Sequence, residues 1–167
     1  ENYPSYHFYS AMNITGSHDV PRLFTVLGDA LPEGISPEEK RKLQNGRIKL
    51  ATLWQLTFPG IPSIYYGDEA GLEGGQDPYN RGTYPWGKEN KDILKWYKEI
   101  ISIRNHYDVL QTGHWIPLYA HGDIYCYLRS IEDSLDIFGE AKKNNAAVIL
   151  LNRNTSKKIG ISLDLSR

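Results

Sequence analysis

The 167 residues are 40% hydrophobic and 23% charged, enough apolar surface for one packed domain, or one and part of a second, and too little charge for a disordered chain. Lys and Arg number 19 against 20 Asp and Glu, a formal net charge of -1, so electrostatics gives no reason to expect a nucleic acid or an anionic membrane as partner. The one cysteine, Cys126, excludes an intramolecular disulfide framework and a cysteine-only zinc site, and no apolar run reaches the roughly 20 residues that span a bilayer.

The chain opens Glu1-Asn2-Tyr3, without a Met, a basic patch or an apolar segment, and reads as an excised or processed piece whose localisation it does not state. Residues 1–10 are aromatic and carry no clear period. Ala11 to Ser17 reads as a short buried strand turning at Gly16, followed at once by His18, Asp19 and the strand-ending Pro21. Ser36-Pro37-Glu38-Glu39 marks a helix start, with Ser36 as cap, Pro37 at the first helical position and Glu39 completing a capping box. That helix should run to about Thr57 with Leu43, Leu50, Leu53, Trp54 and Leu56 on a broad apolar side. Gly46 in its middle costs about 1 kcal/mol relative to Ala unless close packing requires it.

Phe58-Pro59-Gly60 stops the helix, and Ile61 to Gly67 has the unbroken apolar character of a strand buried on both faces. The polar, Gly-rich stretch Asp68 to Glu89 is too long for a tight connection, and such loops are more often functional. From Asn90, helical spacing of Ile93, Leu94, Tyr97, Ile100, Ile101 and Arg104 predicts a second helix. The first hundred residues therefore read as two βα units of a parallel sheet. Beyond them, Trp115–Tyr119 and Ile124–Ser130 form a hairpin around 120–123, residues 132–145 a loop, and 147–151 and 159–165 two further strands. A boundary near residue 110 separates residues 1–109 from an antiparallel β module at 110–167.

Two loops leave the carboxyl ends of the expected parallel strands, where α/β proteins bind ligands. In the first, His18 can donate to a sugar hydroxyl and Asp19 can accept from vicinal hydroxyls or balance developing positive charge; alternatively, Asp19 pairs with Arg22 across a turn. In the second, Asp77 and Arg81 are placed to clamp vicinal hydroxyls, the guanidinium donating as a planar fork, or to pair with each other inside the loop. Asp68-Glu69 is either functional or paired with arginines beneath the loop. A His-Asp metal centre is disfavoured, because the pair leaves a strand and His7, His106, His114 and His121 lack ligand spacing. Gly71, Gly74 and Gly75 are spaced wrongly for a phosphate loop.

Asn13-Ile14-Thr15-Gly16-Ser17-His18-Asp19-Val20-Pro21-Arg22 resembles the segment at the end of the seventh barrel strand of the α-amylase superfamily of glycoside hydrolases. Pro59 to Gly71 resembles the eighth strand and its loop, and Gly74-Gly75-Gln76-Asp77-Pro78 through Arg81 to Tyr84-Pro85-Trp86 is similar to the neopullulanase, cyclomaltodextrinase and amylopullulanase branch. Residues 105–167 resemble the start of the β-sandwich that follows the barrel. The resemblance implies an α/β fold: the last two βα units of a (β/α)8 TIM barrel, then part of an antiparallel β-sandwich. It implies that Asp19 stabilises the transition state without attacking it, that His18 binds the same sugar, and that Asp77 and Arg81 hold the next sugar toward the non-reducing end.

The resemblance also implies an α-glucan partner, oligosaccharide or polysaccharide, and a retaining parent enzyme acting on starch, pullulan or maltooligosaccharides. No cofactor is implied for this segment, and calcium in a full-length parent stays open. No stretch matches the family's nucleophile or general-acid segments, so the chain alone is expected to be inactive. With its barrel edges exposed, it is expected to be ordered only where the β module supports it or copies associate. A non-catalytic carbohydrate-binding or scaffold protein and a transglycosylase are the alternatives.

Overall fold

The computed structural model describes residues 4–156 and 158–163. The chain is a mixed α/β structure of two compact units. One takes Met12–Leu56 and Ile61–Ile103; the other takes the described residues before Met12, Thr57–Gly60 and those from Arg104 onward.

In the first unit, β1 (Met12–Ile14) and β2 (Ile61–Ser63) pair in parallel, Met12 opposite Ile61 and Ile14 opposite Ser63. Both strands are shorter than the apolar runs that announce them, and neither is buried on both faces. Met12, Ile14 and Ile61 are exposed on one side of the pair, because helices cover only the other. The connection between the strands holds α2 (Leu23–Asp29), which had no sequence signal, and α3 (Pro37–Thr57), whose start is the expected one: the Ser36 hydroxyl accepts the Glu39 N–H at 3.2 Å. α4 (Lys91–His106) starts as predicted, with Asn90 Oδ1 accepting the Ile93 N–H at 3.3 Å.

Phe24, Ile48, Ile93 and Tyr97 form the core of this unit, with Leu23, Leu27, Ile64 and Ile101 packed around them. Of the apolar side expected for α3, Leu56 is fully buried and Leu43, Leu50 and Leu53 are partly so, but the main buried stripe is another one. It runs through Gln44, Ile48, Thr52 and Gln55, while Trp54 is half exposed. Burying amides is tolerable only when their hydrogens are used. Gln44 Nε2 donates to Phe24 O at 2.6 Å, and Gln55 Nε2 donates to Asn13 O at 2.9 Å and Ser63 O at 2.8 Å, one carbonyl from each parallel strand. Polar residues thus lie where apolar ones were expected, because this helix packs against carbonyls of α2 and the strands.

The second unit carries the antiparallel sheet β3 (His114–His121), β4 (Ile124–Ile131) and β5 (Asn145–Asn152), with β4 in the middle. Gly122 and Asp123 make the β3–β4 turn, with Gly122 at φ 58°. The lone thiol, Cys126, is fully buried on β4, and burial pushes its pKa up. Residues 4–10, aperiodic in sequence, contain one helical turn, α1 (Ser5–Tyr9), whose Phe8 ring meets Phe58 edge-on at 6.0 Å. The expected strand at 159–165 does not form over 159–163, and its last two residues lie outside the described residues.

Two buried arginines organise this unit. Arg129 Nη1 donates to Thr57 O at 2.6 Å and Leu110 O at 3.0 Å, and Nη2 donates to Gly113 O at 2.9 Å. Arg104 donates to Leu110 O and Gly60 O, each at 2.8 Å. Thr57 ends α3, and Leu110 and Gly113 lie at the end of α5 (Asp108–Thr112), so these cations serve carbonyls that helix ends leave without partners. Replacing Arg129 with Met removes three hydrogen bonds, and Leu110 O keeps the one from Arg104. We expect a loss of about 3 kcal/mol or more in urea unfolding, little recovered by Lys, which lacks the fork. Gly46 has open space where a Cβ would stand, so no packing requires it. Gly46→Ala should raise stability in the same measurement by about 0.5–1 kcal/mol.

Candidate functional site

After β1 the chain passes Gly16 into the first loop, where the Ser17 hydroxyl accepts the Asp19 N–H at 3.1 Å. His18 Nε2 lies 3.1 Å from Asp19 Oδ1, and the two side chains are 62% and 71% exposed. Both therefore face outward with polar atoms free to meet a ligand. Asp19 does not pair with Arg22.

Arg22 is buried instead, and the second loop is built over it. Its Nη1 donates to the Tyr66 carbonyl and lies 3.5 Å from Asp68 Oδ1. Its guanidinium sits 4.1 Å from the centre of the Tyr65 ring and 4.5 Å from that of Tyr66. Its backbone N–H donates to Gly74 O at 2.9 Å. Asp68 is therefore the carboxylate that pairs with an arginine beneath the loop. Gly16 allows the approach: a Cβ there would fall 2.3 Å from Asp68 Oδ2. Gly67 precedes it at φ 90°, a left-handed conformation that glycine adopts without strain.

Further along, a single 3₁₀ turn, Tyr79–Arg81, carries the rest of the site. Arg81 Nε lies 2.8 Å from Asp77 Oδ1, both side chains half exposed or more, so the loop-internal ion pair forms and still faces solvent. Between them Asn80 is fully buried and donates to His18 O at 2.8 Å and Val20 O at 3.0 Å. This amide links the two loops and so brings the His18-Asp19 and Asp77-Arg81 segments onto one frame. Sequence reasoning passed over it, because a single uncharged residue in a polar loop has no periodicity to betray its burial. Tyr79 and Trp86 project from the same loop as exposed aromatics, and the Trp86 ring lies 4.5 Å from that of Tyr84. Such rings suit the C–H faces of sugars. Among the described residues no group of three or more His, Cys, Asp or Glu could hold a metal ion, and no helix is long and apolar enough to cross a membrane.

Parallel strands joined through helices define an α/β protein, and its exposed polar pairs stand on the loops at the carboxyl ends of those strands, where such folds bind ligands. Residues 5–86 match the catalytic-domain family of α-amylase. The chain is 43% identical over 162 residues to an amylopullulanase of Thermoanaerobacter thermohydrosulfuricus, covering 96% of this chain and 11% of that protein. It is 34% identical to a cyclomaltodextrinase of Geobacillus thermopakistaniensis, covering 98% of this chain and 24% of that one. Among solved structures, an acarbose-soaked debranching enzyme of Nostoc punctiforme superposes with a TM-score of 0.66 at 33% identity, over 88% of this chain and 25% of that one. The chain belongs to the α-amylase family. It spans about a tenth of the length of the amylopullulanases it matches.

Burial pushes the Asp68 carboxyl up from 3.8 to about 6, against the opposing pull of Arg22. The native chain thus holds this proton where the unfolded chain has released it, and the contribution of Asp68 to stability falls as pH rises from about 4 to about 6. In urea unfolding across that range, the stability of the wild type should fall relative to Asp68→Asn, and the difference should level off above about pH 6. A constant difference would contradict the assignment.

Proposed function

We propose that the chain is the carboxyl-terminal part of a retaining α-glucan hydrolase and supplies the sugar-holding side of its active site. In this reading residues 1–109 are the last two βα units of a (β/α)8 barrel and 110–167 begin a β-sandwich. The Asp19 carboxylate accepts hydrogen bonds from vicinal hydroxyls of the reacting sugar and opposes the positive charge of an oxocarbenium-like transition state, while His18 donates to the same ring. Asp77 and Arg81 hold the neighbouring sugar, one accepting and the other donating. The attacking carboxylate and the proton-donating acid belong to parts of such an enzyme outside this sequence, so the chain alone breaks no glycosidic bond. No cofactor is assigned to these residues, and calcium is left to a full-length parent.

The observation that carries the reading is the joining of the two loops: two solvent-facing polar pairs, on separate loops at the carboxyl ends of adjacent parallel strands, are tied together by Asn80. The names of the relatives support the substrate class, since they include an amylopullulanase, a cyclomaltodextrinase and a neopullulanase. The uncovered face of the β1–β2 pair, with Met12, Ile14 and Ile61 exposed, is compatible with further strands completing a barrel, or with self-association where they are missing.

Calorimetric titration with maltotetraose tests the site. Saturable binding is expected, weakened about tenfold or more in Asp19→Ala and in Asp77→Ala, as the loss of a charged hydrogen-bonding group implies. Binding left intact by both substitutions would count against these residues. Release of reducing sugar from pullulan or maltotetraose above background would refute the inactivity of the chain alone.

A further inference from the structure

We propose that Asn80 is a positioning residue: its side-chain amide fixes Asp19 relative to the Asp77–Arg81 pair, so that the two sugar-contacting groups act as one. The inference rests on the reading of Asp19, Asp77 and Arg81 as sugar contacts.

The geometry singles out the amide. A primary amide has two hydrogens in one plane, and Asn80 spends both on the backbone, one on the carbonyl before Asp19 and one on the carbonyl after it, at 2.8 and 3.0 Å. Two bonds that bracket a residue fix the direction in which its side chain leaves the backbone, and one bond would leave a hinge. Asn80 is fully buried, and its Oδ1 accepts no hydrogen bond among the described residues, so the group serves as a donor. A carboxylate cannot donate, a hydroxyl has one hydrogen to give, and Gln is a methylene too long.

The frame that carries Asn80 is itself held. Arg81 N–H donates to Pro78 O at 3.0 Å within the 3₁₀ turn, and the Tyr66 hydroxyl donates to Gly82 O at 2.9 Å just past it. Gly74, whose missing Cβ would stand 2.3 Å from Tyr79 O, accepts from the Arg22 N–H and donates to the Thr25 hydroxyl, each at 2.9 Å. The turn is thus fastened on both sides, and Asn80 transfers its position to the backbone at 18–20. The ion pair Asp77–Arg81 flanks Asn80 on the same few residues, so whatever fixes that pair also fixes Asp19.

The test uses the 167-residue chain in solution by nuclear magnetic resonance. In the ligand-free wild type, both Asn80 side-chain hydrogens should exchange slowly with solvent and show through-hydrogen-bond couplings to the carbonyl carbons of His18 and Val20. Asn80→Asp should move the amide resonances of Ser17 to Val20 while those of Phe24, Ile48, Ile93 and Tyr97 stay in place. Asn80→Ser, which keeps one donor, should move them less and serves if the Asp variant fails to fold. Maltotetraose affinity should fall about tenfold in Asn80→Asp, with core resonances unchanged. Freely exchanging Asn80 hydrogens, or an unmoved 17–20 segment in a folded variant, would overturn the inference. Equal affinity in wild type and variant would overturn it too, while leaving the sugar site standing. If the wild type binds no maltotetraose, it is the sugar reading that fails for this chain, and the resonances alone decide whether Asn80 sets Asp19.

Discussion

Burying a guanidinium costs several kcal/mol unless its charge and hydrogens are met, and Arg22 is buried at the point where the first loop turns into α2. The segment after β2 supplies partners for its charge and for Nη1, in the Tyr66 carbonyl, the Asp68 carboxyl and the faces of Tyr65 and Tyr66, while Nε and Nη2 have no hydrogen-bond partner among the described residues. To deliver these groups the second loop has to fold back over the first. That fold brings Gly74 against the Arg22 backbone and the 3₁₀ turn at Tyr79–Arg81 against residues 18–20. The exposed pairs His18-Asp19 and Asp77-Arg81 owe their common frame to this buried cation, which touches neither of them. The raised Asp68 carboxyl shows the cost of the arrangement, since its partner does not fully offset its own desolvation.

The second unit meets its buried cations with main-chain carbonyls. Arg104 and Arg129 distribute five hydrogen bonds over main-chain carbonyls, at the end of α3, around α5 and at Gly60. Carbonyl dipoles at helix ends present partial negative charge, so a cation placed there is stabilised and the orphan acceptors are satisfied together. Burial still draws Arg129 down to about 10, which leaves it charged at neutral pH. Such a network fixes helix ends in place with the directionality of main-chain acceptors.

Local signals with strong stereochemistry were legible in the sequence. The Ser36 cap, the helical spacing of Ile93, Tyr97 and Ile100, and the hairpin around Gly122 all stand where their chemistry put them. What the sequence did not reveal depends on non-local neighbours. The buried side of α3 carries Gln44, Thr52 and Gln55, because carbonyls of other elements meet it there, and hydropathy cannot register that. The apolar run 61–67 became a three-residue strand exposed on one face, since burial of a strand requires elements on both sides. At the site, His18, Asp19, Asp77 and Arg81 were visible as unusual polar residues at strand ends. Asn80 was not, because its importance lies in which two carbonyls it reaches.

The placement of Cys126 makes the sheet self-reporting. It is the only thiol in the chain, fully buried on the central strand β4, and burial raises its pKa, which keeps the reactive thiolate scarce. A disulfide reagent can therefore reach it only when β4 separates from a neighbouring strand or its cover lifts. The rate of labelling of the native chain, divided by that of an exposed thiol, then reports the free energy of those openings.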